Sequence, residues 1–278
     1  ALGLKKLIAT HYIDNDITLF DDIKPERPYF LTITKAPQDL LTLERPAMVT
    51  HIIAENGGRT PLTGDGDFRS AECISFLNEA DIIITNPPFS LFREFVAQLV
   101  EYDKKFLIIG SVNAITYKEC FKLMKENKLW LGQSIHSGDR EFMVPDSYPL
   151  NAAGFRVDEK GRKYIRVKGV RWFTNLDYTE RHEDLILYKR YTADKYPKYD
   201  NYDAIDVSKT ADIPLDYDGV MGVPITFLDK YNPEQFEIIG IDRYVEDNPH
   251  YGHRFKLNGK EIYARVLIRN RNPVKKGR

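Results

Sequence analysis

Residues 81–89 read DIIITNPPF, and this stretch decides the fold that we expect for the chain. The run from Ile82 to Ile84 is short and continuously apolar, which is typical of a parallel strand buried on both faces. The Asn-Pro-Pro corner must end this strand, because a residue before proline avoids the helical region and proline donates no backbone hydrogen bond. A helix is predicted directly afterwards, from about residue 90 to residue 102.

The flanking sequence repeats the same alternation of strand and helix. A helix with Ser70 as its N-cap is predicted before the Ile82 strand. Further along the chain, a buried strand at 105–110, a helix at 116–127 and a strand-like piece at 129–131 are predicted. Strands that alternate with helices indicate a parallel α/β sheet with right-handed crossovers, and we expect this sheet over residues 60–132.

The N-terminal residues predict short strands. Residues 4–11 indicate a strand that would belong to the same parallel sheet, and residues 29–33 are β-like. Met48 to Ala54 is rich in β-branched residues and predicts another strand. Residues 55–58, Glu-Asn-Gly-Gly, then form a typical hairpin turn, from which residues 60–63 would return.

The second half of the chain is polar and mostly β in character. It contains hairpin signals around residues 158–161 and at Asn258-Gly259, the latter joining strands within 256–269. Other strands are predicted at 170–176 paired with 185–191, at 220–230 and at 236–241, and a surface loop at 192–217.

The Asn-Pro-Pro-Phe corner also predicts chemistry. The carboxyl edge of an open α/β sheet is where ligands bind. The corner displays two rigid acceptors there, the amide oxygen of Asn86 and the carbonyl oxygen of Pro87, and Phe89 offers a flat apolar surface. Two acceptors and an aromatic plate suit a planar ring that carries an exocyclic amine. Alternatively, the corner only stops a strand and starts a helix, with Ser90 as its cap.

The residues around this corner carry a family resemblance. The corner resembles the catalytic motif of amino-group methyltransferases that depend on S-adenosylmethionine. The longer strings resemble the EcoRI-type adenine-specific DNA modification methylases; they lie at 64–70 (GDGDFRS), 104–110 (KKFLIIG), 170–176 (VRWFTNL) and 218–233 (DGVMGVPITFLDKYNP). The short motif alone also occurs in RNA and protein-glutamine methyltransferases.

The resemblance implies a fold, an activity and a set of roles. The fold is a Rossmann-like methyltransferase fold, a parallel sheet with helices on both faces and antiparallel closing strands. The activity is methyl transfer from S-adenosylmethionine to the N6 amine of adenine in duplex DNA, in a restriction–modification system. The implied catalytic residues are Asn86, Pro87, Pro88 and Phe89. Asp67 and Phe68 would hold the adenine of the cofactor, although a plain Asx turn explains Asp67 equally well.

We expect two domains, a catalytic domain at 1–191 and a mostly β region for DNA recognition at 192–278. Family members begin with a strand and a loop that grips the cofactor, and we expect both to be missing here. The chain starts Ala-Leu-Gly-Leu without methionine, which suggests a processed or truncated start. A non-catalytic DNA-binding fragment is therefore one alternative, and an RNA or protein methyltransferase is another.

The distribution of charge along the chain bears on whether it binds DNA. The net charge is −1, but the last 25 residues hold nine basic residues against one acid. This asymmetry fits contact with DNA phosphates as well as it fits a solvated tail. The residues predicted to contact DNA are Trp172, Arg265, Arg269 and Arg271.

Other classes of protein are disfavoured. The apolar runs are too short to span a bilayer, and no secretory signal is evident. Two cysteines, Cys73 and Cys120, cannot form a disulfide framework, so a reducing cytoplasm is expected. No metal ligation is expected, because His182-Glu183 lacks a second histidine at ligand spacing.

Overall fold

The computed structural model describes residues 4–12, 27–35, 45–133, 140–145, 154–245 and 252–275. The chain forms two compact units, Ala1–Asp81 and Ile82–Arg278. Within the described residues, no helix combines the length and the apolar character that crossing a bilayer requires. The domain boundary predicted at 191 falls inside the second unit and stays a prediction.

The first unit contains a three-stranded antiparallel sheet and two helices. The strands are β1 (Leu7–His11), β2 (Tyr29–Ile33) and β3 (Thr60–Pro61), in the order β1-β2-β3. The helices are α1 (Arg45–Glu55) and α2 (Ala71–Glu79). The N-cap predicted for α2 is confirmed, since the Ser70 hydroxyl accepts a hydrogen bond from the Cys73 N–H at 3.2 Å.

Two predictions for this unit are wrong. The strand near the N-terminus does not join a parallel sheet, because β1 pairs antiparallel with β2. Met48 to Ala54 belongs to helix α1, and the Gly57-Gly58 pair ends that helix instead of turning a hairpin. Both glycines have φ of +85°, and the Gly58 N–H donates to the Ile53 carbonyl at 2.9 Å. This is the left-handed helix ending that glycine favours.

The second unit begins with the strand–helix alternation around the Asn-Pro-Pro-Phe corner. Its elements are β4 (Ile82–Thr85), α3 (Phe92–Glu101), β5 (Lys105–Ser111), α4 (Lys118–Lys125) and β6 (Trp130–Leu131). These elements confirm the order predicted from sequence, with bounds that differ by a few residues. They position the corner at the carboxyl end of β4.

The remaining strands of the second unit form three further groups. They are β7 (Arg140–Val144), β8 (Arg156–Val157), β9 (Lys163–Val167), β10 (Val170–Thr174), β11 (Ile205–Asp206), β12 (Met221–Pro224), β13 (Phe236–Ile241), β14 (Lys256–Leu257), β15 (Lys260–Glu261) and β16 (Arg265–Asn270). The sheets are ordered β7-β9-β8, β11-β12-β16-β13 and β14-β15, and β10 joins the sheet of β4. The regular elements of the described residues after 192 are therefore strands and short 3-10 turns, with no α-helix among them.

The sheet that carries the corner is mixed. The strands that it takes from residues 60–132 run parallel to one another, as predicted, but β3 belongs to another sheet and the antiparallel β10 is inserted between β5 and β6. Its order is β4-β5-β10-β6. β4 and β5 are parallel, whereas β10 lies between β5 and β6 and is antiparallel to both. β4 is not buried on both faces, since Ile82 and Ile84 keep 49% and 70% of their surface exposed.

One face of this sheet packs against α3 through aromatic side chains. Phe92 of α3, Phe106 of β5 and Phe173 of β10 are buried. The rings of Phe92 and Phe173 meet edge to face with their centroids 4.9 Å apart. Gly110 makes this close approach possible, because a Cβ atom there would lie 2.4 Å from Cε2 of Phe92. The packing holds the start of α3, and with it the corner, against the sheet.

Candidate active site

The corner after β4 is a tight, proline-stiffened turn. Beyond Pro88 the chain enters a single 3-10 turn over Phe89–Leu91, closed by the Leu91 N–H donating to the Pro88 carbonyl at 3.0 Å. Helix α3 follows at once. Asn86 is exposed, Pro87 is buried, and Phe89 keeps 41% of its surface exposed. The turn thus anchors itself through Pro87 and presents its amide and its aromatic ring outward.

Both predicted acceptors of the corner are unused. Within the described part of the chain, no N–H or O–H group donates to the side chain of Asn86 or to the carbonyl of Pro87. The two prolines explain this, because they remove the backbone donors that would otherwise fold back onto Asn86. The corner therefore retains hydrogen-bonding capacity for a ligand.

The purely structural interpretation of the corner finds little support. It assigns Ser90 as the N-cap of the following helix. In the structure the first residue outside α3 is Leu91, and no side chain caps either the 3-10 turn or the helix. A sequence selected only to start a helix would be expected to use its serine for capping.

Two more loops share the carboxyl edge of the sheet with the corner. One follows β5, where the Ser111 hydroxyl accepts a hydrogen bond from the Asn113 N–H at 3.3 Å. The other leads into β10, whose Val170 pairs opposite Ser111. Behind this edge, Arg171 of β10 faces Asp229 at 3.4 Å, and both side chains are nearly buried. No sequence signal joined these two residues, which lie 58 positions apart, although each falls in a string that carries the family resemblance.

The second predicted ligand site, Asp67-Phe68, lies in the first unit and has its own partner. The Arg69 guanidinium binds the Asp67 carboxylate in a forked arrangement, Nε to Oδ1 at 2.9 Å and Nη2 to Oδ2 at 2.6 Å. The Arg69 N–H also donates to Oδ1 at 2.8 Å, which makes an Asx turn. Phe68 is partly exposed, and the same guanidinium lies 5.2 Å from the centre of its ring.

The electrostatics of Asp67 leave limited capacity for a ligand. The hydrogen bond from the Arg69 side chain lowers the pKa of Asp67 below its ordinary value, so the group is a carboxylate at neutral pH. Oδ1 already accepts two hydrogen bonds from Arg69, whereas Oδ2 accepts one and keeps a lone pair. One amine hydrogen can therefore be received at Oδ2, and Phe68 can cover the ring that carries it.

The residues predicted to contact DNA occupy different settings. Trp172 lies in the middle of β10, partly buried, opposite Ile109. Arg265 donates from Nε to Asp206 at 2.9 Å, and only 14% of its side chain is exposed. Arg269 is half exposed and lies 3.4 Å from Glu237. Arg271 donates to the Pro233 carbonyl at 2.9 Å.

The setting of Arg265 shows a buried polar network that the sequence did not reveal. Asp206 accepts hydrogen bonds from Arg265, from the Tyr199 hydroxyl at 2.8 Å and from the Ser208 hydroxyl at 3.0 Å. Burial raises the pKa of Tyr199 far above its ordinary value, so the phenol stays protonated and donates. Tyr199 lies in the segment predicted as a surface loop, and that prediction is wrong for it because it is buried.

Histidine and cysteine side chains do not assemble into a further site. Within the described residues, no group of His, Cys, Asp and Glu is arranged to hold a metal ion. His182 lies in an exposed turn between Asp177 and Glu234, at 2.7 and 3.2 Å, and these hydrogen bonds raise its pKa. Cys120 is buried, which raises its pKa to about 12 and makes it unreactive.

Comparison with known proteins identifies the family of the chain. Residues 1–271 match the family described as "Adenine-specific methyltransferase EcoRI". The chain is 47% identical over 272 residues to the Type II methyltransferase M.EcoRI of Escherichia coli, an alignment that covers 97% of this chain and 78% of that protein. It is 42% identical over 232 residues to the Type II methyltransferase M.MpnI of Mycoplasma pneumoniae, which covers 77% of this chain and 72% of the relative.

A third relative extends the same pattern. The Type II methyltransferase M.MgeORF184P of Mycoplasma genitalium is 38% identical over 230 residues, with 76% of this chain and 71% of the relative covered. No solved structure gives a significant match. The chain belongs to the family of EcoRI-type adenine-specific methyltransferases.

Proposed function

We propose that this protein transfers a methyl group from S-adenosylmethionine to the N6 amine of adenine in duplex DNA, as the modification enzyme of a restriction–modification system. The observation that carries this proposal is the corner after β4. Asn86 and Pro87 offer two acceptor oxygens at a sheet edge that no donor in the described part of the chain uses, and the exposed ring of Phe89 stands next to them in the chain. Family membership supports the choice of adenine.

The corner is suited to activating an aromatic amine. The Asn86 amide oxygen and the Pro87 carbonyl accept the two hydrogens of the N6 amine, while Phe89 stacks on the base. Stacking of this kind contributes about 1–3 kcal/mol per base. Accepting both hydrogens draws the nitrogen lone pair out of conjugation with the ring and stabilises the positive charge that develops on nitrogen. Pro88 keeps the two acceptors rigid, so little reorganisation is needed during the reaction.

S-adenosylmethionine, when bound, supplies an electrophilic methyl group that the amine nitrogen attacks directly. For this chain we propose that Asp67 accepts a hydrogen bond from the cofactor's adenine amine at Oδ2 and that Phe68 covers the ring. The free lone pair on Oδ2 supports this role. Arg69 keeps the carboxylate ionised, because its hydrogen bond lowers the pKa of Asp67.

We also propose that the sheet of β4 is part of a Rossmann-like methyltransferase fold. The order β4-β5-β10-β6 supports this assignment. β6 is antiparallel to β10 and therefore runs parallel to β5, so one reversed strand is inserted between two parallel ones. The family resemblance implies antiparallel closing strands, and β10 has the position and direction of such a strand. Residues 1–191 would then be catalytic, and residues 192–278 would serve recognition.

DNA contact is proposed for the predicted basic residues. Arg269 and Arg271 are on or beside β16 with polar partners at the surface, so a phosphate can compete for their guanidinium groups. Arg265 is the least available of the three, because its Nε is engaged by a buried carboxylate. Trp172 would contribute to the surface that receives the flipped adenine, since a base inside a duplex cannot reach the corner.

The identity of the methylated product tests this proposal. The protein is incubated with labelled S-adenosylmethionine and either duplex DNA or RNA, and the nucleosides are then separated by mass spectrometry. We expect N6-methyldeoxyadenosine from duplex DNA and no labelled nucleoside from RNA. Label in another nucleoside, or in RNA alone, would overturn the proposal. Binding of duplex DNA without any methyl transfer would instead match a non-catalytic DNA-binding protein.

A further inference from the structure

We propose that the three-stranded sheet β7-β9-β8 is a second DNA-contacting element, which binds the phosphate backbone close to the flipped adenine. This inserted sheet covers the described residues 140–145 and 154–168, in the order β7-β9-β8. The proposal rests on the proposed function, since it takes Asn86 as the point at which the target base is held. It adds a surface that none of the predicted contacts includes.

The topology places the root of the inserted sheet at the catalytic edge. The chain leaves the main sheet after β6 and returns to it at β10. Because β6 runs parallel to β5, the end of β6 and the start of β10 both lie at the carboxyl edge, where Asn86 follows β4. The Val112 N–H after β5 donates to the Gly169 carbonyl and ties the returning segment to this edge.

The distances are short on the scale of a DNA duplex. Neighbouring strands are about 4.8 Å apart, so β10 lies roughly 10 Å from β4 across β5. The root at Gly169 and Val170 is therefore within about 10–15 Å of the corner. The major groove alone is about 12 Å wide. A duplex that delivers its target adenine to Asn86 thus brings its phosphate backbone over the root of the inserted sheet.

The charge of the inserted sheet suits this partner. Residues 154–168 contain six basic residues against two acids, a net charge of +4, in a chain whose total is −1. Three arginines share the face of the sheet that carries Tyr164. Arg156 stands opposite Tyr164 with its guanidinium 4.3 Å from the ring centre, that of Arg162 is 5.9 Å away, and Arg166 follows two residues along β9.

The ion pairs on this face do not exclude phosphate binding. Arg156 pairs with Glu141 and Arg162 with Asp158, both at 2.7 Å, but each arginine side chain remains about half exposed at 48% and 51%. Exposed pairs of this kind contribute at most about 1 kcal/mol. Arginine also binds phosphate through two parallel hydrogen bonds, so a DNA phosphate can take part of the fork or replace the acid.

The other face of the inserted sheet has a different character. Phe142 and Val157 are 53% and 50% exposed there. The register of the strands places two basic residues, Arg140 and Lys163, on this face, against three arginines on the face of Tyr164. The difference between the faces assigns the arginine face to DNA. Contact of the apolar face with a second copy of the chain would be the competing outcome.

The experiment compares two double variants that lose the same charge. The test variant is Arg162→Gln with Arg166→Gln. The control is Lys122→Gln with Lys125→Gln, in the last turn of α4, which runs away from the carboxyl edge. Binding of a fluorescent random-sequence duplex is measured by anisotropy at several salt concentrations. Each lost phosphate contact lowers the salt slope by about 0.9 and weakens binding at low salt.

We expect the test variant to lose about 1.8 from the slope and the control to match the wild type. A third variant, Arg162→Lys with Arg166→Lys, is expected to restore most of the slope, which separates charge from any effect on folding. Equal slopes for wild type and test variant would overturn the inference while leaving the proposed function intact. A test variant that weakens self-association but not DNA binding would also overturn it. Absence of duplex binding by the wild type would overturn both.

Discussion

The two turns predicted to bind ligands differ in what their oxygens already do. At the corner, no donor among the described residues binds the side chain of Asn86 or the carbonyl of Pro87, and two prolines follow Asn86. At the other turn, Asp67 accepts hydrogen bonds from the Arg69 backbone and guanidinium. The local sequence causes this difference. The side chain of Asp or Asn can accept a hydrogen bond from the backbone N–H two residues later, unless that residue is a proline.

The largest expected effect comes from removing the open acceptor. Asn86→Ala deletes one of two groups that stabilise charge on the amine, and losses of roughly 10²–10³ in rate are typical for such a deletion. Single-turnover transfer of tritiated methyl groups to duplex DNA measures it. Asn78→Ala, at an exposed position of α2, is the matched control and should retain full activity. Equal rates for wild type and Asn86→Ala would remove the distinction between the two turns.

Glycine-to-alanine substitutions test how tightly the protein packs beside each of the two turns. At Gly110, beside the corner's aromatic packing, a new Cβ would lie 2.4 Å from Phe92 and 2.9 Å from Phe173. We expect Gly110→Ala to lower the free energy of unfolding by about 1–3 kcal/mol, as overpacked cores do. Gly64, just before the Asp67 turn, has nothing within 4 Å of such an atom, so Gly64→Ala should be close to neutral. Urea unfolding compares the two, and similar losses would contradict this account.

Restoring a backbone N–H donor at the corner should make the corner resemble the Asp67 turn. Pro88→Ala returns the N–H two residues after Asn86, the position from which Arg69 donates to Asp67. The new hydrogen bond is worth about 1 kcal/mol, so methyl transfer should fall roughly fivefold. In Pro87→Ala the restored N–H is one residue too early to donate to Asn86 in this way. A larger loss for Pro87→Ala than for Pro88→Ala would show that the acceptors are controlled by something else.

The smallest expected effect comes from breaking the ion pair between Asp67 and Arg69. The folded pKa of Asp67 is lowered, so the pair stabilises the protein above the ordinary pKa of aspartate and loses this contribution as the pH falls through the lowered value. Arg69→Gln should lower the free energy of unfolding at neutral pH by less than about 1 kcal/mol. The difference from wild type should vanish in acid. Arg93→Gln, which removes a 4.0 Å contact with Glu119 and a contact with the ring of Tyr117, is the control. A pH-independent difference at Arg69 would exclude this explanation.

Local sequence rules predicted the part of the fold that carries the corner. The strand, corner, helix and strand from Ile82 to Ser111 follow from apolar runs interrupted by prolines, and the structure confirms them. The exposure of Ile82 and Ile84 could not be predicted in this way, since an apolar run says nothing of what covers it. Local sequence also could not place β10 between β5 and β6, because β10 begins 59 residues beyond the end of β5.

The failures share a cause, which is competition from distant partners. Met48 to Ala54 has β-branched residues but forms a helix, whose end is held by Asn56 donating to the Lys35 carbonyl at 2.9 Å. Residues 185–191 were predicted as a strand, yet Leu185 pairs with the side-chain amide of Gln235 at 2.7 and 2.8 Å. Short-range spacing could have revealed Arg69 as a partner, since it lies two residues after Asp67.

The most direct test of the open-acceptor account is a crystal structure of the protein with duplex DNA that contains the target adenine. We predict that the adenine lies outside the helix and stacks on Phe89. Its N6 amine should be about 2.9 Å from both the Asn86 amide oxygen and the Pro87 carbonyl oxygen. An adenine held elsewhere, or acceptor oxygens of the corner bound by the protein's own donors, would contradict the account.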